Sequence, residues 1–323
     1  MASPLIAPQD VRTVGLIGLG AVGCGWAATY LARGFTVRAC DPAPDAEANA
    51  RLFLTKAWPA LLTLGVTSLE TPPFERLIVA SLAETASQAD IIHENAPEDA
   101  ALKTDLLAQV ERACADNILI CSSSGGLPPS IVQSGLATAH RVLVAHPFNP
   151  PHLIPLVEVI GGTQTSSEAV EWALSFMAQL GKHPIRIDRE VTAYMANRLQ
   201  FALLREAIHC VAEGVASPQA VEDAVRYGLG PRWAVMGALT TLTLAGGTGG
   251  MAKTISNFAP AMDSWFAALG SPRLTPDIQA KLVAASEQIT GGRSIDDMIA
   301  QRDQDLVTLL QALPGAASNR SHA

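Results

Sequence analysis

Short apolar runs alternate with longer amphipathic stretches through the first 188 residues. "VRTVGLIGLG" reads as a strand running into a glycine turn, and "WAATYLARG" as a helix closed by Gly34. "FTVRACD", "ADIIHEN" and "NILICSSS" read as buried strands, the last two separated by the amphipathic "AALKTDLLAQVERAC". "RVLVAH" and "LVEVIGG" follow, then a helical "SEAVEWALSFMAQLG" and a final strand, "HPIRID". Strands alternating with helices predict an α/β domain, a doubly wound and mostly parallel sheet. Beyond Asp188 the strand signals stop. "TAYMANRLQFALLREAIHCVAEG" has helical period and length, and "SPQAVEDAVRYGLG" opens on a Ser-Pro helix start and ends in glycine. The expected domains are therefore 1–188, α/β, and 189–315, all-helical. The remainder, 316–323, reads as a disordered tail.

Composition narrows the classes. A chain of 323 residues with 49% hydrophobic and 16% charged residues can build a large core, and its length suits two domains. A net charge of −8 with no basic stripe argues against nucleic acid or an anionic membrane as partner. The start "MASPLIAPQDVRTVG" lacks the basic and apolar regions of a secretory signal, and no apolar run has the length of a membrane helix. Cys24, Cys40, Cys114, Cys121 and Cys210 are scattered, without a CxxC pair or zinc spacing. The expectation is a cytoplasmic protein with reduced, structural thiols and no metal.

Two segments carry candidate chemistry. Gly18-Leu19-Gly20-Ala21-Val22-Gly23 follows a strand and opens a helix. Glycines there let backbone N–H groups approach a pyrophosphate, whose charge the helix N-terminus favours. The second strand ends at Asp41, about 20 residues on, where a carboxylate binds the adenosine ribose hydroxyls. Asp41 would repel a 2′-phosphate, and Pro42 and Ala43 follow it, so NAD is expected over NADP despite the nearby Arg38. The second segment is "HPFNPPHLIPLVEV". His146 ends one strand and Glu158 lies on the next, so two adjacent strands could join a general base to an orienting carboxylate. On the residues alone, a capped histidine and a glutamate paired with a basic group remain open.

This segment resembles the His-x-x-Asn-Pro…Leu-Val-Glu-Val signature of the L-3-hydroxyacyl-CoA dehydrogenase family. The fingerprint, "ENAPED", "SSSGGLPPS" and "YMANRL" extend the resemblance over nearly the whole chain. It implies a Rossmann domain followed by a helical domain that forms a homodimer. It also implies NAD-dependent oxidation of a small 3-hydroxy acid, with His146 as base, Glu158 as its partner and Asn197 on the substrate oxygens. Asn149, Glu98 and Lys103 would lie at the cofactor. One departure stands out: where the family has a catalytic serine, this chain has Gly125, preceded by Ser122, Ser123 and Ser124. Either Ser124 moves into the role or the site works without that hydroxyl.

The substrate follows from finer similarity. "HPFNPP" and "LIPLVEV" resemble members acting on L-gulonate. "TKAWPALLTLG", "GPRWAVMGALTTLTLAGGTGGM" and "DQDLVTLLQAL" resemble members acting on L-carnitine, the preferred expectation; a short-chain 3-hydroxyacyl-CoA is a further alternative. A quaternary ammonium is recognised by aromatic faces. Phe148 beside the base, with Trp233, Phe258, Trp265 and Phe266 in the helical half, could supply them; Arg198 or Arg232 could meet a carboxylate. A non-catalytic NAD-binding structural protein is the alternative from another class.

Overall fold

The computed structural model describes residues 4–313, so the expected tail at 316–323 lies outside the described residues. The strands are β1 (Thr13–Ile17), β2 (Thr36–Cys40), β3 (Leu77–Val79), β4 (Ile91–Glu94), β5 (Leu119–Ser122), β6 (Val142–Pro147), β7 (Leu156–Gly161) and β8 (His183–Ile187). Among them run α1 (Ala21–Ala32), α2 (Ala46–Thr63), α3 (Leu82–Ser87), α4 (Ala100–Ala113), the single turn α5 (Pro129–Val132) and α6 (Ser167–Gln179). The sheet order is β3-β2-β1-β4-β5-β6-β7-β8. All pairings are parallel except β6 with β7. The first six strands thus have the 3-2-1-4-5-6 order of a Rossmann sheet, whose ligands bind beyond the carboxyl ends of the strands.

Side-chain alternation along the strands builds a core on each face of the sheet. Val14, Leu16, Ile91 and Leu119 join Trp26, Tyr30, Leu54, Trp58 and Phe176 from α1, α2 and α6. Ile17, Ile92 and Ile120 point the other way, toward Ala86 of α3 and Leu107 and Val110 of α4. The strands read as near-continuous apolar runs because both faces are covered.

The chain forms two compact units: the segment to Asn197 together with that from Asp303 on, and Arg198–Arg302. This division falls later than the expected 188, and the residues after Asp303 group with the sheet. The helices beyond the sheet are α7 (Ala196–Ala212), α8 (Pro218–Asp223), α9 (Gly230–Val235), α10 (Ala238–Ala245), α11 (Gly250–Ala268), α12 (Pro276–Thr290) and α13 (Ile295–Ala312). Two helix limits differ from expectation. The first helix starts at Ala196 and not at Thr192, because Ala193 (φ 62°) and Tyr194 (φ 49°) turn the chain left-handed. The second does not stop at Gly230, since a π-helical segment, Ala224–Leu229, joins α8 to α9.

Candidate active site

The loops at the carboxyl ends of β1, β2, β4, β5 and β6 hold most of the sequence-derived candidates. At the end of β1, Gly18 adopts φ 98°, and a Cβ on Gly23 would run into the Gly18 carbonyl, so both glycines are required for the turn. Gly20 differs: a Cβ there would meet nothing within 4 Å. Gly20 caps α1 without any side-chain hydrogen bond, so the first N–H groups of this helix face an open cradle. Asp41, just past β2, accepts from Leu19 N (2.7 Å) and Ala43 N (2.9 Å). The cradle and the carboxylate together fit the pyrophosphate and ribose of NAD.

The antiparallel return of β7 places Glu158 directly opposite His146. Their side chains share one face of the sheet. His146 Nδ1 lies 2.9 Å from Glu158 Oε2, and both residues are buried. The other oxygen, Oε1, accepts from Met195 N (3.0 Å) and Ala196 N (2.9 Å), where the chain enters α7. Burial alone raises the Glu158 carboxyl; the hydrogen bonds from His146, Ala196 and Met195 and the His146 charge outweigh it and hold the group below its usual range. The same turn brings Asn197 into the first unit, where its Nδ2 donates to Gly125 O (2.8 Å).

Gly125 is the residue that faces the histidine. A Cβ there would lie 3.3 Å from His146 Nε2 and 3.7 Å from Asn197 Nδ2. Ser124 is buried and its hydroxyl is engaged elsewhere, by Glu98 Oε1 (2.7 Å), Leu127 N (3.1 Å) and Tyr194 Oη (3.3 Å). Glu98 also accepts from Gly125 N, Gly126 N and Leu127 N. Lys103 is fully buried between Glu94 Oε1 (2.8 Å) and Ala96 O (2.9 Å), with Glu98 Oε2 at 3.8 Å. Phe148 is half-buried, its ring 5.1 Å from that of His146, while Asn149 is exposed.

The remaining substrate candidates, Arg198, Trp233 and Phe258, belong to the second unit and are exposed. Three supporting residues were not singled out from the sequence. Tyr194 is fully buried, packs 5.5 Å from the His146 ring and donates to Leu127 O (2.5 Å). Lys182 donates to Pro151 O and Ile154 O (3.3 Å) in the β6–β7 connection. Burial, then the charge of Arg33, pushes the Lys182 ammonium down to about 7. His93 bridges Tyr30 Oη (2.9 Å) and Ser123 Oγ (3.0 Å). Only Tyr194 carried a sequence signal, its place in "YMANRL".

The chain is similar to known proteins over most of its length. The family described as "3-hydroxyacyl-CoA dehydrogenase, NAD binding domain" matches residues 13–191, and "3-hydroxyacyl-CoA dehydrogenase, C-terminal domain" matches 194–291. The chain is 46% identical over 307 residues to an L-carnitine dehydrogenase of Streptomyces griseus subsp. griseus, covering 95% of this chain and 91% of that one. It is 42% identical over 305 residues to an L-carnitine dehydrogenase of Pseudomonas aeruginosa, covering 94% of each. Among solved structures, an NAD-dependent 5-formyl-3-hydroxy-2-methylpyridine 4-carboxylic acid 5-dehydrogenase superposes with a TM-score of 0.82 at 28% identity, over 96% of this chain and 100% of that one.

Proposed function

The chain belongs to the 3-hydroxyacyl-CoA dehydrogenase family and is an NAD-dependent 3-hydroxy acid dehydrogenase, and from that premise we propose that it oxidises the 3-hydroxyl of L-carnitine to 3-dehydrocarnitine, with His146 as general base. The His146–Glu158 pair at the carboxyl edge of the sheet is the observation that carries the chemistry; the names of the relatives supply the substrate. NAD, when bound, supplies the hydride acceptor for carbon 3. His146 Nε2 takes the hydroxyl proton. Glu158 accepts from Nδ1, which fixes the tautomer that leaves Nε2 basic, and it stabilises the imidazolium that forms. Asn197 holds the substrate oxygens. Phe148 offers a ring face to the trimethylammonium. Gly18, Gly20, Ala21, Val22 and Gly23 cradle the pyrophosphate and Asp41 the ribose. Asn149, Glu98 and Lys103 border the nicotinamide end. With Gly125 in place of a serine, the substrate oxygen loses one hydrogen bond, worth about 1–3 kcal/mol.

The enzyme works as a homodimer through its helical unit, in the cytoplasm. None of the described helices is long and apolar enough to cross a membrane, and the five cysteines are free thiols, which suits a reducing compartment. The test follows NADH formation at alkaline pH with L-carnitine, L-gulonate and L-3-hydroxybutyryl-CoA in parallel, with His146→Gln as control. L-Carnitine should be preferred, and the variant should lose roughly a hundredfold or more. Activity on another substrate alone overturns the substrate; a near-normal variant removes His146 as the base.

A further inference from the structure

We propose that Glu98 is a positioning residue whose carboxylate locks the Ser124–Leu127 loop in the form that presents Gly125 to His146 and Asn197. Four donors converge on one oxygen, Oε1: Ser124 Oγ at 2.7 Å, Gly125 N at 3.1 Å, Gly126 N at 2.8 Å and Leu127 N at 3.1 Å. That is more than the two lone pairs of a carboxylate oxygen can accept ideally, so Oε1 is saturated by the loop. The loop needs such a clamp. It carries two consecutive glycines, which have the largest backbone freedom to lose, and three consecutive N–H groups that no strand or helix pairs. Glu98 itself sits on a fixed turn: Pro97 precedes it, and Asp99 caps α4 by accepting from Leu102 N (2.7 Å). The far side of the loop is held by Tyr194, which donates its one hydroxyl proton to Leu127 O and lies 3.3 Å from Ser124 Oγ. Between these anchors lies Gly125, whose carbonyl takes the Asn197 amide and whose α-carbon faces His146 Nε2. The clamp therefore acts on two active-site side chains through one glycine.

This role goes beyond cofactor contact and rests on the activity proposed above, but its first test needs no substrate. Amide hydrogen exchange at Gly125, Gly126 and Leu127 is measured in the free protein and in Glu98→Ala, Glu98→Gln and Glu98→Asp. Alanine should speed exchange there by about tenfold or more. Glutamine keeps an acceptor at the same reach and should stay near the parent rate. Aspartate is one methylene short and should follow alanine. In turnover at saturating NAD the same order should appear in kcat. A purely structural lesion would instead spread faster exchange over the whole sheet. Unchanged loop exchange in Glu98→Ala, or weakened NADH binding with exchange and kcat intact, overturns the proposal. If no substrate of the panel turns over while the exchange pattern holds, the activity falls and the clamp stands.

Discussion

His93 and His146 point to opposite uses of one side chain. Ser123 has a single hydroxyl proton, which it gives to Asn95 Oδ1 at 2.7 Å; His93 Nε2 must then carry the hydrogen toward Ser123, and Nδ1 accepts from Tyr30. Both nitrogens are satisfied with the ring neutral. Burial, reinforced by the charge of Lys103 and only partly opposed by a bond to the Ala145 backbone, pushes His93 down to about 3. His146 has a carboxylate on Nδ1 instead, with Glu158 Oε2 at 2.9 Å. The pH consequence follows from linkage. Between pH 3 and 6.5 the unfolded chain binds a proton at His93 that the folded chain does not, so stability rises with pH through that window and is lost on acidification. Glu158, held below its usual range, adds the same sign at lower pH. Urea unfolding at pH 7 and 4.5 should show a loss that shrinks in His93→Gln by about 2–3 kcal/mol; parallel losses would show that His93 is not the titrating group. At this scale the sequence was a partial guide. It identified the departure at Gly125, but whether Ser124 could replace the hydroxyl depends on side-chain partners 26 residues away.

At the scale of elements, the β1–α1 turn separates glycines that serve the fold from one that serves the ligand. Gly23→Ala would drive a methyl into the Gly18 carbonyl, so the turn must open and the protein should lose stability by about 2 kcal/mol or more. Gly20→Ala meets no neighbour, so its thermal midpoint should stay near the parent value while NAD binding weakens. Calorimetry on both variants, with NADH titration of the second, checks the contrast; a destabilised Gly20→Ala would contradict it. Seven of the eight strands were legible as apolar runs; β3, only three residues long, was not, and the strand order came from the structure. For His146 and Glu158 the sequence offered adjacent strands as one reading among others; the register of β6 on β7 sets the two residues opposite each other. The left-handed turn at Ala193 and Tyr194 was not legible. Local preference favours extending the helix, and the turn is held by tertiary partners: the buried Tyr194 ring and the Glu158 oxygen on the following N–H groups.

For the whole molecule, the two units differ in how well they cover their apolar groups. Among the described residues, most exposed large hydrophobic side chains belong to Arg198–Arg302, including Phe201, Tyr227, Leu239, Trp265 and Phe266. Soluble monomers rarely leave so many uncovered. Light scattering should therefore give the mass of a dimer, and charging that surface at Trp265 and Phe266 should shift it toward monomer; a parent that stays monomeric at high concentration would refute the assembly. The boundary between the units also bears on how this chain can change over generations. Glu158 spends one oxygen on His146 and the other on the N–H groups of Met195 and Ala196 at the start of α7, the helix through which the chain passes from one unit to the next. No single replacement serves both: glutamine could still accept from the backbone but not stabilise an imidazolium, and any smaller residue releases the helix start as well. The backbone task does not involve the histidine, so a descendant that abandoned catalysis would keep the glutamate for its shape long after losing the histidine.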